Sequence, residues 1–476
     1  MLDKNDIVEL QITDMSEQGE GIGHADGYML LVKDGVVGDF VRVCVTKPGK
    51  SYGYARILEV LRPSENRMSP RCPIAGPCGG CQLQAMSYEA QLAFKQNKVR
   101  QHLRRIGGFS NIEVLPVIGM EQPWEYRNKF QIPVGQDKSG RLIAGFYAQR
   151  SHRIVETPHC HLGSPVIDQI RRLVLAHMEK YRIPAYNEET HGGTVRHILA
   201  RHAAATGEWM VSLVINADKL PRAEALVAKL RELPGMTDIS LNINKERTNV
   251  ILGRKMKQLY GPGYITDKIG RLRFRISPQA FYQVNPVQTA KLYETALDYA
   301  GLTGRETVWD LYCGIGTISL FLAQRARKVY GVEIVPAAIA NARENAALNH
   351  IDNAEFFVGK AEEVVLPGER PDVIVVDPPR KGCDKSLLET ILRVLPARVV
   401  YVSCDSATLA RDLKILCEKD YEIRSVQPVD MFAQTVGVES VCLLSRVSNR
   451  KPDSKVEIEI DTEEYYMMIE KQKIFY

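Results

Sequence analysis

Val308-Trp309-Asp310-Leu311-Tyr312-Cys313-Gly314-Ile315-Gly316-Thr317 reads as an apolar strand, a tight glycine turn and a helix starting near Ile318. No other stretch limits the fold as much. The glycines take backbone conformations closed to other residues and let a ligand approach the main chain. Val329-Tyr330-Gly331-Val332-Glu333 reads as a second strand ending in an acid, 23 positions after Asp310. A carboxylate at that distance can accept hydrogen bonds from ribose hydroxyls. From about residue 288 onward, helices alternate with apolar strands, the pattern of a parallel α/β sheet. Val373-Ile374-Val375-Val376 runs into Asp377-Pro378-Pro379-Arg380, so Asp377 falls at a strand's C-terminal end, where open α/β sheets bind ligands. The paired prolines stiffen that loop. The turn lacks the full Gly-x-Gly-x-x-Gly of dinucleotide enzymes, which speaks against NAD or FAD.

A chain of 476 residues has room for two to four domains at roughly 100–200 residues each. Residues 1–62 hold short apolar stretches between glycine turns (Val8–Ile12, Gly27–Val32, Phe40–Val45, Ala55–Val60), which predicts a small β-barrel. A polar, proline-bearing stretch around Arg62-Pro63-Ser64 marks a boundary. Residues 63–276 form a central α+β domain, with a helix over Tyr88–Ile106, β-like segments such as Trp209–Ile215 and a helix near 221–232. Residues 277–448 are the α/β domain, and 449–476 a polar tail with a short Val-Glu-Ile-Glu-Ile alternation. The first six residues carry two acids and no apolar run, unlike a signal peptide. No run of about 18 apolar residues predicts a membrane span. A cytoplasmic protein with no membrane partner is the expectation, and its ten cysteines then read as thiols, ligands or catalysts rather than disulfides.

Charge is unevenly placed. Residues 1–70 carry 8 Lys and Arg against 11 Asp and Glu, a net −3, whereas residues 71–160 carry 12 against 6, a net +6. A local basic excess suits a polyanionic partner, although solvated basic faces are also common.

Together, the Asp-x-x-x-Gly-x-Gly turn, the spaced acid and the downstream Asp-Pro-Pro resemble the S-adenosylmethionine pocket of Rossmann-like methyltransferases. Asp-Pro-Pro motifs also occur in amino methyltransferases, so that motif alone names no acceptor atom. Val400-Tyr401-Val402-Ser403-Cys404-Asp405 is another strand entering a loop, which puts Cys404 on the edge that carries Asp377. Most cysteines near strand ends are small core residues. A nucleophile here suits one demanding reaction. Pyrimidine C5 is a poor nucleophile until a thiolate adds at C6, and a base must then remove the C5 proton. Glu439 opens the apolar run Val438-Glu439-Ser440-Val441-Cys442-Leu443-Leu444 and is the candidate base. A solvated glutamate at a strand start is the plain alternative. Cys72-x5-Cys78-x2-Cys81 with the distant Cys160 supplies four thiolates, compatible with structural zinc or a [4Fe–4S] cluster. His159 and His161 flank Cys160 and are weaker ligand candidates.

Phe281-Tyr282-Gln283-Val284-Asn285, Asp310 to Gly316, Asp377 to Arg380, Ser403-Cys404-Asp405 and Glu439 together resemble the RNA uracil-5-methyltransferases. With the N-terminal part included, the chain is similar to the 23S rRNA members over roughly residues 6–447. That resemblance implies a TRAM barrel, an iron–sulfur-bearing central domain and a catalytic domain. It implies S-adenosylmethionine contacts from Gln283, Tyr312, Glu333 and Asp377, with Cys404 as nucleophile and Glu439 as base. It favours a [4Fe–4S] cluster on Cys72, Cys78, Cys81 and Cys160. The expected partner is a flipped-out uridine in single-stranded or loop 23S rRNA, bound by a monomer. Three departures stand out: Ser406 where relatives often have Pro, Phe432-Ala433-Gln434-Thr435 and Gly437-Val438 where they often have Phe-Pro-His-Thr and a further His, and Ala85 where they often have His. A tRNA uracil-5-methyltransferase is the nearest competing reading. A radical enzyme is disfavoured because Cys-x5-Cys-x2-Cys differs from the Cys-x3-Cys-x2-Cys such enzymes share. A non-catalytic RNA-binding protein is disfavoured by the presence of Cys404 and Glu439.

Overall fold

The computed structural model describes residues 2–359 and 370–449; the Val-Glu-Ile-Glu-Ile stretch of the tail lies outside the described residues. At the front, β1 (Ile7–Met15), β2 (Gly21–Ala25), β3 (Tyr28–Lys33), β4 (Phe40–Lys47) and β5 (Tyr52–Arg62) close into a barrel in the order β1-β2-β3-β5-β4. The period-two pattern of the sequence is its cause. Val41, Val43 and Val45 alternate into the interior with Leu10, Ile12, Leu30 and Val32 and are fully buried or nearly so. Each such side chain contributes about 1.5–3 kcal/mol on leaving water.

The helix α1 (Tyr88–Arg105) follows. Ser87 caps it by accepting the Ala90 N–H, and Glu89 and Arg104–Arg105 complement its dipole. Its buried face is unusual, carrying Gln91, Lys95, Val99 and His102 at spacings of four, four and three. Three of these four are polar, and their partners lie far along the chain.

The central sheet runs β12 to β8 through β6 (Lys129–Gln136), β7 (Leu142–Tyr147), β8 (Ile154–Glu156), β9 (Val195–His202), β10 (Trp209–Ile215), β11 (Met236–Ile243) and β12 (Lys255–Tyr260), in the order β12-β11-β10-β9-β6-β7-β8. Two helices, α2 (Val166–Lys180) and α3 (Ala223–Leu230), cover one face through a shared apolar core. The sequence reading anticipated α3 but not α2, although Ile167, Ile170, Val174 and Met178 recur at helical spacing. The hairpin β13 (Ile265–Ile269) and β14 (Leu272–Ile276) packs its apolar side into the core of the C-terminal domain.

In that domain, α4 (Pro286–Ala300), β15 (Thr307–Asp310), α5 (Thr317–Ala323), β16 (Lys328–Glu333), α6 (Pro336–Leu348), β17 (Ala354–Val358), β18 (Val373–Val376), α7 (Lys385–Val394), β19 (Arg398–Ser403), α8 (Ser406–Leu416), β20 (Tyr421–Val429) and β21 (Glu439–Arg446) form a sheet ordered β17-β16-β15-β18-β19-β21-β20. The expectation of a parallel sheet holds through β19 and then breaks, because β21 runs antiparallel to both β19 and β20. Residues 430–438, which join β20 to β21, are too few for a parallel crossover, so β21 must reverse direction. The reversal makes β21 begin at the same edge where β15, β16, β18 and β19 end.

Residues 112–120 lie along the outer strand β20, with Val114 bridging Val426 and Ile118 bridging Val429, so this sheet edge is covered. Among the described residues, no helix is long and apolar enough to cross a membrane.

Candidate active site

β15 ends on Asp310, fully buried, whose carboxylate accepts Ser319 Oγ at 2.5 Å. Burial, reinforced by the charge of Glu333, pushes Asp310 up to about 6. Gly314 and Gly316 of the following turn have φ of +54° and +84°. A Cβ on Gly316 would meet Phe356 and Ala342 at 3.1–3.2 Å, so that glycine serves close packing. A Cβ on Gly314 would meet nothing within 4 Å, so that side of the turn faces open space. Glu333, at the end of β16, accepts the Val335 N–H at 3.0 Å and is 7% exposed. Tyr312 lies two residues after Asp310: its backbone N–H supports that carboxylate, and its ring packs half-buried on the adjoining core.

β18 delivers Asp377 two strands from Glu333, on the same edge. Burial first, then the charge of Asp310, pushes Asp377 up to about 7. Across the antiparallel β19–β21 ladder Ser403 pairs with Ser440, so the next residues outward, Cys404 and Glu439, stand opposite each other. Cys404 is half-buried, and Glu439 is 3% exposed with its Oε2 lacking a hydrogen-bond partner among the described residues. A solvated glutamate at a strand start is therefore not what the structure contains. Burial raises the Cys404 thiol well above its usual range; Glu439 and Asp377 raise it further, and Arg380 opposes them. Burial and Asp377 likewise raise Glu439 well above the carboxylate range, with Arg380 again opposing.

Gln283 enters from the loop before α4. Its backbone carbonyl accepts Asn128 Nδ2 at 3.0 Å, while the Asn128 N–H donates to Val284 at 2.8 Å. Asn285 caps α4 by accepting the Gln288 N–H and also donates to the Met431 carbonyl at 3.3 Å. Gln283 is therefore tied to the central domain and, through Asn285, to the loop preceding Glu439.

Sequence reasoning passed over Arg380 and Tyr293. Arg380 is the cation that acts on both Cys404 and Glu439. The buried Tyr293 donates to Thr317 Oγ1 at 3.0 Å and feels Asp377, Asp310 and Glu439. The Arg of Asp-Pro-Pro-Arg was a signal available for the first; Tyr293 sits in a helix whose spacing suggests only core.

The four cysteines of the central domain are free thiols. Among the described residues, no three His, Cys, Asp or Glu side chains are set to hold a metal ion. Cys160, Cys78 and Cys72 each add to the raising of Cys81 electrostatically. Burial pushes Cys81 up to about 12 and Cys160 up to about 11. The Gly80 N–H points to Cys78 Sγ at 3.4 Å. Four thiols are the donor chemistry of a four-thiolate group, but among the described residues they are not set around one metal position. His159 is instead engaged by Asp168 at 2.7 Å, and its ring stands edge-on to His161 at 4.5 Å. Ala85 is buried in an apolar seam with Val36, Leu83 and Met86, which makes that departure a packing one.

The tRNA (uracil-5-)-methyltransferase family model matches residues 221–447, and the TRAM domain model matches residues 4–58. An uncharacterized RNA methyltransferase of Halalkalibacterium halodurans is 50% identical, covering 93% of this chain and 98% of its own. One from Clostridium tetani is 47% identical over 94% and 98%. The solved Pyrococcus abyssi tRNA (uracil-54, C5)-methyltransferase, in complex with S-adenosyl-L-homocysteine, is 28% identical, with a TM-score of 0.75 over 92% of this chain and all of that one. The chain belongs to the RNA uracil-5-methyltransferase family, S-adenosylmethionine-dependent enzymes, with a TRAM barrel at its front.

Proposed function

We propose that the enzyme methylates C5 of one or more uridines in 23S rRNA through a covalent bond between Cys404 and uracil C6. The observation that carries this reading is the pairing of Ser403 with Ser440, which puts Cys404 and Glu439 at the next positions outward, at the strand edge that also holds Asp377. Cys404 adds to C6 and leaves C5 enolate-like; C5 takes the methyl group; Glu439 removes the C5 proton; the thiolate departs. S-adenosylmethionine, when bound, supplies that methyl group as an electrophile. Gln283, Tyr312, Glu333 and Asp377 hold it, with Glu333 placed for ribose hydroxyls. A carboxyl lifted by burial is a stronger base than a solvated one once ionised, and Arg380 favours both the thiolate and the carboxylate. The target base must leave its stack to reach Cys404. The barrel and the basic 71–160 region then contact the surrounding strand, and one chain suffices for the reaction, as a monomer in the cytoplasm.

Cys72, Cys78, Cys81 and Cys160 are proposed to hold a [4Fe–4S] cluster that ties the 72–81 loop to Cys160. Anaerobically purified protein should contain iron and sulfide; stoichiometric zinc without iron would exclude the cluster.

A second reading, tRNA as substrate, has a specific observation behind it: the archaeal tRNA enzyme spans 92% of this chain, so the size and layout of the domains do not by themselves favour ribosomal RNA. Protein-free 23S rRNA and tRNA transcripts with labelled S-adenosylmethionine decide between the two. Label in 23S rRNA alone supports the proposal, and label in tRNA alone replaces it.

A further inference from the structure

The TRAM barrel reaches the nucleophile loop through a chain of side chains that runs from the exposed Glu17 to the buried His102 and Ser406. The turn between β1 and β2 is fixed by its own backbone, with Ser16 N–H to the Glu20 carbonyl at 2.8 Å and Gly19 N–H to the Ser16 carbonyl at 2.9 Å. A Cβ on Gly19 would stand 3.0 Å from Val436 Cγ1 and 3.1 Å from Leu83 Cδ2, so the turn is seated tightly on the 430–438 loop. From this turn, Glu17 Oε1 lies 2.7 Å from His102 Nε2, and His102 Nδ1 lies 2.8 Å from Ser406 Oγ. His102 and Ser406 are 6% and 4% exposed.

Ser406 opens α8 two residues after Cys404. Between them, Asp405 caps the helix by accepting the Ala407 and Thr408 N–H groups at 2.9 and 3.1 Å, and its own N–H donates to Ser403 Oγ. Cys404 is therefore carried on a segment whose far end is held by His102. The same barrel residue reaches the base side. The Glu17 carbonyl accepts Lys98 Nζ at 3.4 Å, and Lys98 Nζ also donates to the Val436 carbonyl at 3.2 Å, three residues before Glu439. Position 406 is thus occupied by a hydroxyl with a specific partner. A proline stiffens a loop through its own ring; a serine needs an external brace.

We propose that Glu17, His102 and Ser406 form a strut by which the barrel sets the position of Cys404, making all three positioning residues rather than RNA contacts. The proposal rests on the reading of Cys404 as nucleophile. The barrel is then part of the catalytic assembly as well as an RNA-binding module.

The test measures the rate at which the full-length enzyme forms a covalent adduct with substrate RNA carrying 5-fluorouridine at the target, where fluorine blocks the final proton removal and the adduct accumulates. Ser406→Ala and Glu17→Ala should each slow adduct formation about tenfold, with RNA KM, S-adenosylmethionine affinity and melting temperature nearly unchanged. Because both act through His102, the double variant should be no slower than the worse single variant, whereas independent sites would multiply. Glu17→Gln, which keeps an acceptor for His102, should recover most of the rate. Multiplying losses, loss expressed only in RNA KM, or unchanged rates in both single variants would overturn the strut. Absence of adduct in the unmodified enzyme would overturn the reading of Cys404, and the strut with it.

Discussion

The strand edge proposed to carry the chemistry and the seam beneath it are built in opposite ways. At the edge, Asp310, Glu333, Asp377 and Cys404 each sit at or just past the C-terminal end of a strand, so short local patterns place them. In the seam, α1 meets the 430–438 loop through contacts between residues more than 300 positions apart. Lys95 Nζ and Asp430 Oδ1 pair at 2.6 Å with both side chains fully buried, and Tyr88 donates to the other Asp430 oxygen at 2.7 Å. Lys95 also donates to the Phe432 carbonyl at 3.0 Å, and Gln91 exchanges hydrogen bonds with Gln434. Gln434 has a φ of +70°, a conformation that costs a non-glycine residue roughly 1–2 kcal/mol. Its carbonyl accepts the N–H groups of both Gln82 and Leu83, directly after the Cys78–Cys81 motif. The edge carries the groups proposed to react, and the seam holds the loop that leads to Glu439.

The largest effect should come from the edge. Cys404→Ala should abolish methylation and leave no covalent RNA product, while S-adenosylmethionine still binds by calorimetry. Residual turnover in this variant would mean that C5 is activated by another group. In the seam the effect should fall first on stability. Lys95→Met strands the Asp430 carboxylate in a buried site, at a cost of about 3–5 kcal/mol. Chemical denaturation should show that loss; a change under 1 kcal/mol would mean water reaches Asp430 and the seam is looser than its contacts imply.

The smallest effect should be a pH dependence confined to the edge. Asp310 and Asp377 are raised to about 6 and about 7, so both hold protons at pH 5 and release them by pH 8. A cationic ligand such as S-adenosylmethionine should therefore bind several-fold tighter at pH 8 than at pH 5.5, on the scale of about 1.4 kcal/mol per pKa unit. The free enzyme should change the other way: a carboxyl with a raised folded-state pKa favours folding below its ordinary range and loses that contribution as pH rises through 6–7. Affinity that is flat across this window would show that ligand binding does not sense these two acids.

The same contrast explains what could be read in advance. Cys404 and Asp377 were legible because apolar runs end just before them, and strand ends in such sheets face the ligand edge. The barrel was legible from short apolar stretches set between glycine turns. Lys95, Gln91 and His102 were not, because polar side chains on a helix ordinarily mean solvent; their burial depends on Asp430, Gln434, Glu17 and Ser406, which no local window contains. The reversal of β21 was hidden by the regular alternation of helices and strands before it, and only the shortness of the 430–438 link required it. The spacing of Cys72, Cys78, Cys81 and Cys160 suggests a ligand set, but among the described residues their side chains are not set around a metal position.

Glu439→Gln tests the central claim most directly. The amide keeps the shape of the side chain but cannot take the C5 proton, so attack by Cys404 and methyl transfer should proceed and elimination should stall. A denaturing gel with labelled RNA should show a slow band of methylated RNA bound to protein, absent from the Cys404→Ala, Glu439→Gln double variant. Full turnover by Glu439→Gln, with no slow band, would contradict the account and remove Glu439 from the reaction.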